Sequence, residues 1–309
     1  MSLLIALAAA AATFSAPLDL PKTAQVEMVV VKSREDVRDG KPGAPVSGKT
    51  VYAKTIEAQG DGYRVTLKPL STELPKVGSA QDQAKVQAAL AGLASRTYVY
   101  TADDSLAPVA IEDWPTVVAE MTKAFQAMAG DDPNAAKAMN AAMGLFSRMT
   151  PEQAAATMLK EDSLLTVPVN MELEVGKPLA YDDQIASPFG GAPIKAKGAV
   201  SVEKIDEARG VGVVRWSRTL DPESTTAMIA KVIETMATQM GPDAQKPEVK
   251  AMFAKMKFEN TSGCLYEIDL KSGLPLKADC ESTTAVTDPS SGQLNGRTER
   301  WAITQTLKN

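Results

Sequence analysis

The stretch CLYEIDLKSGLPLKADC, Cys264 to Cys280, decides how this chain folds. With its turn on Lys271-Ser272-Gly273, and Gly273 taking the φ > 0 position, it reads as a β-hairpin with a three-residue loop. Opposed pairs then run outward as Leu270 with Leu274, Ile268 with Leu276, Tyr266 with Ala278 and Cys264 with Cys280. Side chains alternate across a strand, so these eight residues share one apolar face. The other face carries Glu267 opposite Lys277, with Asp269 and Asp279 beside them. Opposed Cα atoms in such a ladder lie about 4.5–5.5 Å apart, within disulfide reach. The hairpin therefore predicts a Cys264–Cys280 bond on a buried face. The spacing is not the C-x-x-C of a redox couple, so the bond reads as a structural staple, and it points to an oxidising compartment.

Other segments repeat the one-sided alternation of antiparallel strands. Tyr63, Val65 and Leu67 oppose Arg64, Thr66 and Lys68, and Trp301, Ile303 and Leu307 oppose Arg300, Thr304 and Thr306. VNMELEV sets Val169, Met171, Leu173 and Val175 against Asn170, Glu172 and Glu174. Further strands are expected near 25–31, 49–58, 97–102, 198–205 and 211–220. Helices announce themselves by their starts. SAQD at 79–82 is a capping box, TPEQ at 150–153 sets Thr150 as N-cap with Pro151 behind it, and DPES at 221–224 opens another. More helices should fill 115–129, 134–148 and 247–256.

The fold class this predicts is α+β: a curved antiparallel sheet packed on amphipathic, methionine-rich helices. YVYTADDSLAPVAIED from Tyr98 echoes YEIDLKSGLPLKADC from Tyr266, so two readings stand for the single domain expected over 17–309: a repeat with halves 17–165 and 166–309, or two unrelated hairpins that reuse the same turn chemistry within one continuous unit. Ahead of it, MSLLIALAAAAATFSA (1–16) has an apolar run from Leu3 and a small-residue A-x-A site at Ala10–Ala12. It reads as a secretory signal, being too short to span a bilayer. The expected location is the periplasm or the exterior, with no transmembrane segment.

Several chemistries are excluded. The chain has no histidine, which removes histidine-based nucleophilic triads, proton shuttles and histidine-ligated zinc. A formal net charge of −5 offers no basic footprint for nucleic acid. GAPVSGKT, Gly43 to Thr50, spells a phosphate-binding loop, yet VYAKTIEAQGDGYRVTL after it is hairpin sequence, not the helix that holds phosphates. The acidic pairs Asp103–Asp104, Asp131–Asp132 and Asp182–Asp183 lack calcium-loop spacing and read as turn residues. No cofactor, metal or catalytic residue is expected, and the reading is non-enzymatic.

Methionine placement remains. Eleven of the fourteen lie within 114–160 and 222–256. Met121, Phe125 and Met128 form one stripe, Met139 and Met143 another, Met236 and Met240 a third, and Met252 and Met256 a fourth. Such stripes either fill a core or line an adaptable apolar site for a lipid-like ligand. The export signal, VPVNMELEVGKPL (167–179) and IDLKSGLPL (268–276) together resemble a group of functionally uncharacterised exported bacterial envelope proteins. More distantly, curved sheets covering apolar helices resemble periplasmic carriers of lipoproteins or lipids, which implies an apolar ligand. The alternatives are an assembly protein docking an envelope partner through its helical face, and a carboxylate-dependent hydrolase.

Overall fold

The computed structural model describes residues 12–74, 95–129, 137, 139–140, 143–144, 146–185, 192–240, 257–287 and 292–308. Its strands are β1 (Thr13–Ser15), β2 (Thr23–Arg38), β3 (Lys41–Pro42), β4 (Val46–Gln59), β5 (Gly62–Glu73), β6 (Tyr98–Ala102), β7 (Pro108–Ile111), β8 (Glu172–Glu174), β9 (Leu179–Ile185), β10 (Ile194–Asp206), β11 (Val211–Leu220), β12 (Lys257–Asp269), β13 (Pro275–Thr287) and β14 (Leu294–Lys308). Its helices are α1 (Trp114–Ala129), α2 (Pro151–Met158), α3 (Lys160–Thr166) and α4 (Pro222–Met240). Described positions between 137 and 146 are also helical. Residues 79–82 and 247–256, each expected to be helical, lie outside the described residues.

One antiparallel sheet dominates, in the order β7-β6-β5-β4-β2-β14-β13-β12-β11-β10-β9, with β3 attached to β2. The chain thus lays down two consecutive meanders. The first long strand, β2, pairs with the last, β14, from Gln25–Lys308 to Val37–Gly296, and this joins them. The joint lies mid-sheet, so the early and late parts of the chain share one core. β1 and β8 form a separate two-stranded ribbon.

The β12–β13 hairpin expected around Lys271-Ser272-Gly273 is present. Cys264 pairs with Cys280 and Tyr266 with Ala278, and the two sulfurs are bonded across a Cα separation of 4.0 Å. Both cysteines are buried. Register carries that row sideways through Trp301, Cys280, Cys264, Trp216 and Val200, so a tryptophan stands on each side of the disulfide. The next row, Val30, Ile303, Ala278, Tyr266, Val214 and Val202, is buried throughout and forms the core.

The expected register fails near the turn. A bulge between Glu267 and Ile268 pairs Ile268 with Pro275, not Leu276. Pro275 has no N–H for the ladder, and the turn instead closes at Asp269, whose N–H donates to the Leu274 carbonyl at 3.0 Å. The Asp269 carboxylate accepts from the Ser272 N–H at 3.0 Å and from its hydroxyl at 2.5 Å. Gly273 does take positive φ, +68°, and a Cβ there would lie 2.3 Å from the Pro17 carbonyl oxygen. Two constraints therefore hold that position to glycine.

VNMELEV is a second correction. Only Glu172–Glu174 is a strand, and it pairs with β1 outside the main sheet. Asn170 turns the chain with φ +58°. Its side-chain oxygen accepts from the Leu18 N–H at 2.7 Å and its amide donates to the Asp104 carbonyl at 3.0 Å. The Thr150 capping box forms in full, with Pro151 opening α2. Asp221 likewise caps α4, accepting from the Ser224 N–H at 2.8 Å. GAPVSGKT runs from a short loop into β4, and no helix follows it.

Replacing both cysteines by alanine should cost on the order of 3 kcal/mol, the value for a loop of this length. Urea unfolding monitored by circular dichroism checks it. Reduction in the native fold should also raise tryptophan emission, because Trp216 and Trp301 lose an adjacent disulfide quencher. Unchanged emission on reduction would contradict the observed row.

Candidate functional site

The helical segment Lys160–Thr166 follows α2 almost without a break. Leu159 ends α2 and its N–H donates to the Ala155 carbonyl at 3.0 Å. α3 then places Lys160, Glu161 and Asp162 on one turn beneath the sheet, the first two against β14 and Asp162 against β4 and β6.

Asp162 is 1% exposed and Lys54, from β4, is 2% exposed. The Lys54 ammonium donates to Asp162 Oδ1 at 2.5 Å, and the Tyr100 hydroxyl of β6 donates to the same oxygen at 2.9 Å. Lys54 pairs with Val26 on β2 and Leu67 on β5, so without Asp162 its charge would stand among apolar neighbours. A charge taken out of water needs such a partner. Burial and the adjacent Asp162 carboxylate push the Tyr100 hydroxyl well above its ordinary pKa, so it remains a donor.

Glu161 accepts from the Trp301 indole N–H at 3.2 Å. Lys160 lies 4.1 Å from the centroid of the same ring, and its ammonium is 3.4 Å from Glu299, which also meets Lys32 at 3.2 Å. Burial holds Lys160 below its ordinary pKa despite the upward pull of Glu299. Burial pushes Glu299 upward, but the two lysines outweigh it and leave its carboxyl below the usual value. The two shifts pull opposite ways on the pair; desolvation of the ammonium is its main cost.

At the other end of α3, the Leu164 carbonyl accepts from the Tyr266 hydroxyl of β12 at 2.8 Å, satisfying one of the acceptors a helix end leaves free. Six strand spacings of about 4.8 Å would separate β6 from β12 by about 29 Å in a flat sheet. Yet Tyr100 and Tyr266, both standing up from the buried face, end on groups two residues apart. The sheet therefore curves around α3.

The arrangement is a clasp. Asp162 and Lys54 are closed off from solvent and bonded to each other, so neither is placed to meet a substrate. Among the described residues, no group of three or more Asp, Glu or Cys side chains could hold a metal ion.

The methionine residues fall elsewhere. Met121 of α1 and Met143 are buried members of the core, with Phe125 packed partly against it. Met139 is half-buried. Met128, Met236 and Met240 lie on helices whose side chains there are outside the described part, as Met252 and Met256 are altogether. The structure thus brings Met121, Phe125 and Met143 to one core and does not assemble the nine residues into a described site. Among the described residues, open cavities of about 650 and 380 Å³ are lined by other residues. The larger opens on the solvent face among Arg215, Ser217, Thr261, Gly263, Glu281 and Arg300.

Asp103 is a turn residue, its carboxylate accepting from the N–H groups of Ser105 and Ala107 at 2.9 Å. Asp182–Asp183 is not a turn but part of the edge strand β9, because Lys197 and Ala196 of β10 pair with it. Asp131–Asp132 lies outside the described residues. Sequence reasoning missed Lys54, Asp162 and Tyr100. A signal for Lys54 existed: it shares the inward parity of Tyr52 and Ile56.

Scans against protein-family models and against curated proteins find no match for this chain. Among the described residues no helix is long and apolar enough to cross a membrane.

Asp162→Ala should destabilise by about 3–5 kcal/mol, since it strands the Lys54 ammonium in the interior. Lys54→Met combined with Asp162→Leu should recover most of that loss in urea unfolding. Additive losses in the double variant would refute the clasp. Tyr52 supplies a pH test. Burial, then the negative charges of Glu161 and Asp162, push its hydroxyl up to about 12 from an ordinary 10.0. Its folded pKa is raised, so its contribution is complete below about pH 10 and is lost as pH climbs towards 12. The stability of the wild type relative to Tyr52→Phe should therefore fall between about pH 10 and pH 12. A constant difference across that window would contradict it.

Proposed function

We propose that this chain is an exported, non-enzymatic protein of the bacterial envelope that binds an apolar, lipid-like ligand. The ligand would lie between the inner face of the curved sheet and the methionine-bearing helices. The observation that carries this reading is the wrap of the sheet around α3, which turns one apolar face into the wall of a trough. Methionine suits such a wall, because its flexible thioether fits ligands of varying shape. The Cys264–Cys280 bond supports an oxidising compartment, and the apolar run from Leu3 to the A-x-A site at Ala10–Ala12 supports export to it.

The clasp gives the trough its form. α3 is tied to the wall by polar bonds at both ends, so apolar contacts alone need not hold it in place. A ligand could then exchange against the methionine side without loosening the clasp.

Native mass spectrometry of freshly purified protein tests the reading. The expected result is a co-purifying lipid, or saturable one-to-one uptake of a fluorescent fatty acid that unlabelled lipid displaces. A folded protein that carries no lipid and takes none up would overturn it.

A further inference from the structure

Resting on the export reading, we infer that the leader is removed by cleavage of the Ala12–Thr13 bond. A cut after Ala16, where the apolar and small-residue segment ends, is incompatible with the core. Thr13–Ser15 is β1, paired with Glu172–Glu174 of β8. Phe14 is 1% exposed and Ala16 is 3% exposed, and both belong to the main hydrophobic cluster.

The rest of the molecule is shaped to receive this segment. A Cβ on Gly212 of β11 would lie 2.1 Å from the Phe14 ring, so the ring rests against bare backbone. Gly273 is equally bare where Ala16 and Pro17 cross the β12–β13 turn. The Leu18 N–H is held by Asn170, and the Asp19 N–H donates to the Ser272 carbonyl at 2.9 Å. A chain beginning at Pro17 would leave the Phe14 cavity empty and would lose β8's only partner strand among the described residues.

The specificity of leader-cleaving endopeptidases agrees. They read small residues at the third and first positions before the cut. Ala10 and Ala12 satisfy this for a cut before Thr13, whereas a cut after Ala16 would set Phe14 in the third position. Water is the co-reactant: the Ala12–Thr13 amide bond breaks, Ala12 leaves with the leader as a carboxylate, and Thr13 keeps the nitrogen as an ammonium group. Thr13 pairs with Glu174 in the ribbon, so the new ammonium group arises at the exposed end of β1. One contact is surrendered, the Val175 N–H to the Ala12 carbonyl at 2.8 Å, and Val175 is only half-buried.

The test is expression of the full-length precursor in a bacterium with an intact export pathway, followed by intact-mass measurement and N-terminal sequencing of the periplasmic protein. The expected first residue is Thr13. An Ala12→Phe precursor should yield at least tenfold less of the Thr13 form. Phe14→Ala should leave the cut in place but lower the urea midpoint of the mature protein. An exported chain starting at Ala11, Ala12 or Pro17 would overturn the assigned bond while leaving export standing. A chain retained in the cytoplasm with its leader would overturn export itself, and the cut with it.

Discussion

A lysine ammonium and an aspartate carboxylate, each almost wholly removed from water, meet at 2.5 Å between β4 and α3. Neither could stand there alone, because an unpaired interior charge costs several kcal/mol. The pair therefore acts as a condition on the fold: if β4 is in the sheet and α3 is beneath it, they must be in this register. Tyr100 extends the condition to β6, and through the same helix Trp301 and Tyr266 extend it to β14 and β12. One two-turn helix thereby references walls from both meanders. An apolar contact in the same place would stabilise comparably but tolerate sliding; hydrogen bonds to a shared oxygen do not.

The joining of the meanders supplies the second constraint. β2 and β14 run thirteen paired positions side by side, although they lie at opposite ends of the described chain. Contacts so distant in sequence form only after a large loss of chain entropy. The Cys264–Cys280 bond and the N-terminal segment that crosses its hairpin turn lie close to that joint. The early chain is thus built into the late chain twice, once as β2 and once as the strap from Thr13 to Asp19.

For function, the important feature is the division of labour between the two faces of the sheet. The outward face carries exchanged charges such as Arg300 with Glu281 and Arg215 with Glu203, partly exposed pairs that contribute little to stability. The inward face is apolar apart from a few polar groups, of which those around α3 are nearly all bonded. Catalysis asks for reactive groups that are reachable and unpaired. The buried carboxylate here is neither, and the proposed binding role follows from shape and apolar surface, not from reacting atoms.

Local chemistry in the sequence was enough to determine most of the long antiparallel strands, the disulfide, the two capped helices and the failure of GAPVSGKT to head a helix. Each depends on residues near one another in the chain: alternation, a turn glycine, an N-cap hydroxyl, a proline. The inward parity of Lys54 was visible as well, but its partner lies 108 positions away and no local pattern names it. The same holds for the burial of Phe14 against Gly212, two positions that meet only in the folded molecule. Which strand neighbours which, how far the sheet curls and which charge is neutralised inside it were decided by tertiary structure alone. Those choices arise from long-range pairing and desolvation, whose energies do not exist until distant parts of the chain come together.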